Sequence, residues 1–237
     1  MNHVASMPSP EAYARAVNQV VARELLGKFT DSHSLPHIAA LASSISSAQY
    51  FVDRMQHAER FEHKQDYLDH AIAARSIDGL VLEFGVATGA TVNHIAAAKS
   101  GPVFGFDVFT GLPEDWRPGY PAGSFRRTDL PAVRDNVALI VGLFEETLPG
   151  FVDSHPGPVS LLHVDCDLYS STKTIFRYLG HRIVKDTIIL FDEYLNYPGW
   201  QQHEFKAFQE YITWSGQSYE YISVIGVHQQ VGVRITG

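Results

Sequence analysis

From Gly79 onward, short apolar runs alternate with amphipathic stretches, and this alternation restricts the fold more than any other feature of the chain. The runs are Leu80–Leu82, Val103–Phe106, Leu139–Val141, Val159–Val164 and Thr187–Phe191. Each is strand-sized and rich in residues that fit a buried pleated surface. Between them, Thr91–Lys99, Leu130–Asn136, Ser170–Val184 and Gln201–Trp214 read as helices. Strands separated by helices imply right-handed crossovers. The expected fold class is therefore α/β: a Rossmann-like, mostly parallel sheet covered on both faces. Tyr219–Ile225 and Gln229–Ile235 flank Gly226-Val227-His228 and read as an antiparallel hairpin closing the sheet.

Before Gly79 the apolar spacing is helical. Helices are expected over Ser9–Gly27, from Pro36 to Met55, and over Glu59–Arg75. The domain reading is a helical appendage or lid over 1–78, which could also serve as a subunit interface, and a ligand-binding domain over 79–237. A length of 237 residues suits one large domain with such an appendage. With 18 Lys+Arg against 26 Asp+Glu, the net charge of −8 argues against nucleic acid and anionic membrane as partners. No apolar run approaches the roughly 18 residues of a membrane span. Cys166 is the only cysteine, so no internal disulfide forms, and Met1–Val4 do not read as a secretory signal. The expected location is the cytoplasm.

Three groups of residues carry chemistry. The first strand ends in Glu83-Phe84-Gly85-Val86-Ala87-Thr88-Gly89, whose glycines allow a sharp turn and close approach of a ligand. The pattern is not the G-x-G-x-x-G that cradles a diphosphate. A carboxylate at Glu83 favours a cationic ligand instead, such as one bearing an amino group and a sulfonium. Asp107 ends the second strand, about 20 positions further on, where an acid accepts hydrogen bonds from ribose hydroxyls. The third group is the strongest: Asp165 and Asp167 follow the fourth strand, and Asp192 and Glu193 follow the fifth. Neighbouring strands would bring both pairs to one edge of the sheet. There they repel one another unless protonated or bridged by a cation, and oxygen ligands suit Mg²⁺, Ca²⁺ or Mn²⁺. Asp167 reads more simply as a cap of the next helix, and His163 as a hydrogen-bonded core histidine. Trp116, Tyr120, Phe125, Tyr197 and Trp200 lie in loops beside the expected site, where they either wall an acceptor pocket or pack the loops down.

In order, the chain contains the glycine turn, Asp107 followed by Phe109-Thr110-Gly111-Leu112-Pro113, then Gly142-Leu143-Phe144-Glu145-Glu146-Thr147-Leu148-Pro149. Asp165-Cys166-Asp167-Leu168-Tyr169-Ser170-Ser171-Thr172 and Asp192-Glu193-Tyr194 complete the series. This series resembles the macrocin-type, S-adenosylmethionine-dependent O-methyltransferases that act on sugars of natural products. The resemblance spans about Gly79 to Tyr211. It implies a seven-stranded class I methyltransferase sheet and a divalent metal, usually Mg²⁺, on Asp165, Asp192 and Glu193. It also implies S-adenosylmethionine held by Glu83, Gly85, Thr88, Gly89, Asp107, Phe109 and Phe144. Asp165 would be both metal ligand and catalytic base for a small-molecule hydroxyl, on a sugar or a phenol. The chain departs from its relatives at Ala87, where a third glycine is common, and at Glu193, where the family has Asp. At Leu168 the related catechol enzyme has Lys. Rival readings are a metal-independent methyltransferase, a nicotinamide-dependent oxidoreductase and a non-catalytic nucleoside-binding protein.

Overall fold

The structure is a computed structural model that describes residues 34–237 and, ahead of them, Ser9, Val17 and Val20. The helix expected over 9–27 falls, apart from those three positions, outside the described residues. The chain forms two compact units: Met1–Gln56 with Asn196–Pro198, and His57–Leu195 with Gly199–Gly237.

The described part of the smaller unit is helix α1, Leu35–Arg54. Pro36 sits in its first turn, where a missing N–H costs nothing, and Arg54 sits in its last, beside the negative end of the dipole. Buried Ser43 and Ser47 return their hydroxyls to the Ala39 and Ser43 carbonyls, so neither is left unsatisfied.

The larger unit is built on an eight-stranded sheet, ordered β1-β7-β8-β6-β5-β2-β3-β4. The strands are β1 Glu59–Arg60, β2 Leu80–Phe84, β3 Val103–Asp107, β4 Val137–Val141, β5 Val159–Val164, β6 Ile183–Phe191, β7 Tyr219–Val224 and β8 Val231–Ile235. Strands β2 to β6 run parallel, while β8 is antiparallel to both β6 and β7. The expected hairpin is therefore present. The helices of this unit are α2 Lys64–Ala73, α3 Ala90–Ala97, α4 Phe144–Ser154, α5 Tyr169–Leu179 and α6 Glu204–Ser215. Every residue of β5 is buried, as a central strand covered on both faces requires. Phe84 stacks on Phe106 at 4.5 Å between ring centroids, and Phe151 of α4 meets Phe106 edge-on at 5.0 Å. No helix among the described residues is long and apolar enough to cross a membrane.

Three local expectations change. The stretch read as a helix from Glu59 begins it only at Lys64, because Glu59–Arg60 add a short edge strand to β7 and Phe61 N–H donates to Val224 O at 3.0 Å. Leu130–Asn136 is not helical. Its polar groups bind α3 instead: Asn93 Nδ2 donates to Ala132 O at 2.9 Å, Arg134 N–H donates to Asn93 Oδ1 at 2.8 Å, and Asn136 Nδ2 donates to Ala96 O at 3.0 Å. Conversely, α4 forms where no helix was expected, although Pro149 inside it lacks an N–H. Its acidic first turn, Glu145 and Glu146, complements the positive end of the dipole.

The sheet order reverses at β2 and β5. From there one series runs outward through β3 and β4, the other through β6 and β8. In open α/β sheets, the crevice at the carboxyl ends of such strands is where ligands bind.

Candidate active site

A cavity of about 390 Å³ opens at that switch point. One wall is made of Gly85, Ala87, Asp107, Gly142, Leu143 and Phe144. Gly85 has φ +92°, and a Cβ there would strike the backbone carbonyl of Asp165, so only glycine lets the two strand ends approach. Gly89, φ +79°, caps α3. Asp107 faces the cavity and also fastens the turn. Its Oδ2 accepts from Val86 N–H at 2.9 Å and Ala87 N–H at 2.8 Å, and its Oδ1 accepts from Phe109 N–H at 2.7 Å. Phe144 meets Phe84 edge-on at 5.0 Å, which fixes its ring at the cavity wall. Of the other expected donor-site residues, Thr88 is exposed, while Gly89 and Phe109 are buried; none of the three lines the cavity.

Glu83 does not line it either. It is sealed from solvent inside β2, in register with His163 of β5, whose Nδ1 lies 3.2 Å from Glu83 Oε2. The carboxylate that the sequence assigned to a cationic ligand is thus paired with a core histidine.

Strands β5 and β6 pair Val164 with Phe191, so Asp165 and Asp192 emerge side by side as expected. Between them lies Lys64, the first residue of α2. Its Nζ is 2.6 Å from Asp192 Oδ1 and 3.3 Å from Asp165 Oδ2. His163 Nε2 approaches Asp192 Oδ1 at 3.6 Å, and Gln230 Nε2 donates to Asp192 Oδ2 at 3.2 Å. Burial alone would raise Asp192, but the adjoining His163 imidazole and the Lys64 charge outweigh it and hold the carboxyl well below its usual range. Burial likewise opposes charge on His163, yet the adjoining Asp192 carboxylate and the hydrogen bond to Glu83 raise it to about 10. Lys64 stays above its ordinary value because Asp165 and Asp192 outweigh its burial. Asp165 lines the cavity and is raised to about 6, first by burial and then by the charge of Asp192.

A second acidic group lies alongside. Asp167 is not a helix cap: α5 has Leu168 at its N-cap and no side-chain cap bond. Asp167 instead adopts φ +64°, lines the cavity and shares a hydrogen bond with the Glu193 side chain. Burial, then the charge of Asp165, raises Asp167 to about 7. Burial and the same neighbour push Glu193 far above its usual value. Glu204 is completely buried and accepts from Glu193 N–H at 3.1 Å; burial, then Asp167, raises it as well. These acids lower their mutual repulsion by holding protons.

The expected Mg²⁺ set does not fit this arrangement. Among the described residues, the acidic and imidazole atoms that converge within 4.8 Å are those of His163, Asp165 and Asp192, not Glu193. Mg²⁺ requires near-octahedral oxygen ligands. Here a nitrogen replaces one oxygen, Glu193 is turned to Asp167, and an ammonium stands between the two aspartates.

The outer wall belongs to the Thr110–Thr128 loop. Trp116, Arg117, Tyr120 and Phe125 line the cavity. The Arg117 guanidinium lies 3.8 Å from the Trp116 ring centroid, and Tyr120 stacks with Phe125 at 5.5 Å. Ser170 Oγ donates to Glu114 Oε1 at 2.6 Å, tying the loop to α5. Trp200 is buried against Phe205 rather than lining the cavity, and Tyr197 belongs to the smaller unit. Sequence reading missed Lys64 and Glu204. Each lies on a helix remote in sequence from the strand ends, and neither carries a local motif.

Residues 82–194 match a protein-family model described as a methyltransferase domain. No curated protein sequence matches the chain. Among solved structures, that of CalS11, a calicheamicin methyltransferase, superposes with a TM-score of 0.59 at 20% identity, over 97% of this chain and 94% of that one. The O-methyltransferase NovP gives 0.56 at 20% identity, over 73% of this chain and 80% of that one. A second CalS11 structure, described as a TDP-rhamnose 3'-O-methyltransferase, gives 0.52 at 20% identity, over 97% and 96%. The sheet is that of a Rossmann-like methyltransferase fold.

Proposed function

We propose that this chain is an S-adenosylmethionine-dependent O-methyltransferase acting on a hydroxyl of a small molecule, a sugar or a phenol. The observation that carries this reading is a single cavity joining the glycine turn and Asp107 to the Asp165 carboxylate. The methyltransferase-domain match over residues 82–194 supports it, as do the names of the similar structures. When bound, S-adenosylmethionine supplies a methyl group activated on sulfonium and leaves as S-adenosylhomocysteine.

The chain's own work is to align and to deprotonate. The turn at Gly85 and Asp107 would hold the adenosyl part, and Phe144 would pack against it. Asp165, at about 6, is ionised at neutral pH yet basic enough to accept the hydroxyl proton. The acceptor oxygen then takes the methyl carbon, and the proton rests on Asp165. The aromatic loop residues wall off water, which favours methyl transfer over side reactions. A divalent ion on Asp165, Asp192 and Glu193, expected from the family resemblance, has no support in the geometry around Lys64, and no step is assigned to it.

The test is calorimetry with S-adenosylhomocysteine and NAD, followed by methyl transfer to a panel of sugar diols and catechols. Binding of S-adenosylhomocysteine alone, with turnover of at least one acceptor class, is the expected result. Binding of NAD in its place would remove the reading.

A further inference from the structure

We propose that the ammonium of Lys64, not a divalent metal ion, is the cation that clamps Asp165 to Asp192, and that Lys64 is a positioning residue for methyl transfer, acting through Asp165. The positioning part rests on the methyltransferase reading; the clamp stands independently of it.

The geometry leaves little room for an alternative. Mg²⁺ contacts its oxygens at about 2.0–2.1 Å and would need the same two atoms that face Lys64. Those atoms, Asp192 Oδ1 and Asp165 Oδ2, lie 2.6 and 3.3 Å from Nζ. A doubly charged ion inserted there would meet an ammonium at close range in a half-buried site, where repulsion is only weakly screened. Asp192 has no vacant side: Gln230 donates to its other oxygen at 3.2 Å, and His163 Nε2 stands 3.6 Å from Oδ1. Two cations also offset most of the acidic charge without a metal, leaving one net negative charge among three carboxylates. Glu83, Asp165 and Asp192 face Lys64 and His163 in one continuous array.

The fold fixes Lys64 from behind. The β1 pairing and the Phe61 N–H bond to Val224 O delay the start of α2, making Lys64 its first residue. Tyr67, Leu68 and Ala71, one to two turns further along the same face, are buried in the core and hold that face of the helix against the sheet. A lysine on such a mount is held in place rather than trailing in solvent. It would keep Asp165 facing the cavity, as a metal ion does in enzymes that use one.

The experiment compares the wild-type chain with Lys64→Met and Lys64→Arg. The direct probe is Mn²⁺ titration followed by electron paramagnetic resonance, which needs no acceptor and no turnover. Lys64→Met should bind Mn²⁺ at least about tenfold more tightly than wild type, because removal of the ammonium frees the aspartate oxygens. Lys64→Arg, which keeps the charge, should bind no more tightly than wild type. Lys64→Met binding no tighter than wild type would overturn the clamp. Retained S-adenosylhomocysteine affinity shows that the variants are folded. With an acceptor in hand, wild-type turnover should persist in EDTA, and Lys64→Met should lower kcat with donor affinity unchanged. EDTA-abolished wild-type turnover that Mg²⁺ restores would also overturn the proposal. Failure of any acceptor to be methylated would count against the methyltransferase reading and leave the Mn²⁺ comparison intact.

Discussion

His163 and Glu83 face each other across the registered strands β5 and β2, with Nδ1 and Oε2 3.2 Å apart and both side chains sealed from solvent. On its other side the imidazole meets Asp192. A ring with carboxylates at both nitrogens is most stable when both nitrogens carry protons, so that each donates. This pairing forms the floor of the site. It explains why a carboxylate at the end of β2 is tolerated without any ligand.

Stability should therefore fall as pH rises above neutrality. The folded-state value of His163 is about 10, against an ordinary 6.5. Between those values the folded chain holds a proton that the unfolded chain has released, so its stabilising contribution is complete below 6.5 and lost as pH rises through about 10. Urea unfolding of the wild type from pH 6 to 10 should show this decline, and His163→Gln should flatten it. A wild-type profile equally flat over that range would disprove the charged-imidazole assignment. Glu83→Gln removes one partner of a buried pair and should cost about 3–5 kcal/mol.

Turnover should depend on pH in the opposite sense. Asp165 accepts a proton only when ionised, and burial followed by the Asp192 charge places it at about 6. Activity on any accepted hydroxyl should fall as pH drops below about 6. Asp165→Asn should lose about 10²–10⁴-fold in kcat while still binding S-adenosylhomocysteine. If Asp165→Asn keeps wild-type turnover, the base lies elsewhere.

The sheet was largely legible because its central strands, β2, β5 and the second half of β6, are buried on both faces and therefore read as unbroken apolar runs. Adjacency of Asp165 and Asp192 followed from that alternation alone. What escaped was set by tertiary context. Pro149 concealed α4, and the Asn93 side chain took up the Ala132 carbonyl and the Arg134 N–H that a helix would have used. Glu83 carried the right charge for a ligand, but its direction depends on which strand lies beside β2, and that strand presents His163. Lys64 reaches the carboxylates only because a two-residue edge strand sets where α2 begins. No spacing within the chain encodes that contact.

Asp107 should matter for the donor site and for the turn at once. It accepts three backbone N–H groups, from Val86, Ala87 and Phe109, before any ligand arrives. Asp107→Ala should weaken S-adenosylhomocysteine binding by about 1–3 kcal/mol and also lower the unfolding temperature, because three partly buried donors lose their partner. Calorimetry and thermal melts on the same preparation separate the two effects. Unchanged donor affinity would show that the carboxylate serves the turn alone.

Asp167 should behave unlike an ordinary buried acid when replaced. Burial and the charge of Asp165 raise it to about 7 from an ordinary 3.8. Between those values the folded chain binds a proton that the unfolded chain does not, so folding loses stability as pH rises from 3.8 to about 7, and the penalty then stays. Asp167→Asn removes that penalty. Its amide oxygen can still accept from the protonated Glu193 carboxyl, keeping that contact without the charge. The variant should be more stable than wild type at pH 8, by roughly 1–3 kcal/mol. The difference should shrink toward pH 4, where the wild-type carboxyl is protonated in the folded chain and nearly half protonated in the unfolded one. Matched urea titrations at the two pH values measure it. An Asp167→Asn variant less stable than wild type at pH 8 would mean that the ionised Asp167 carboxylate makes a stabilising contact there that outweighs the cost of its burial.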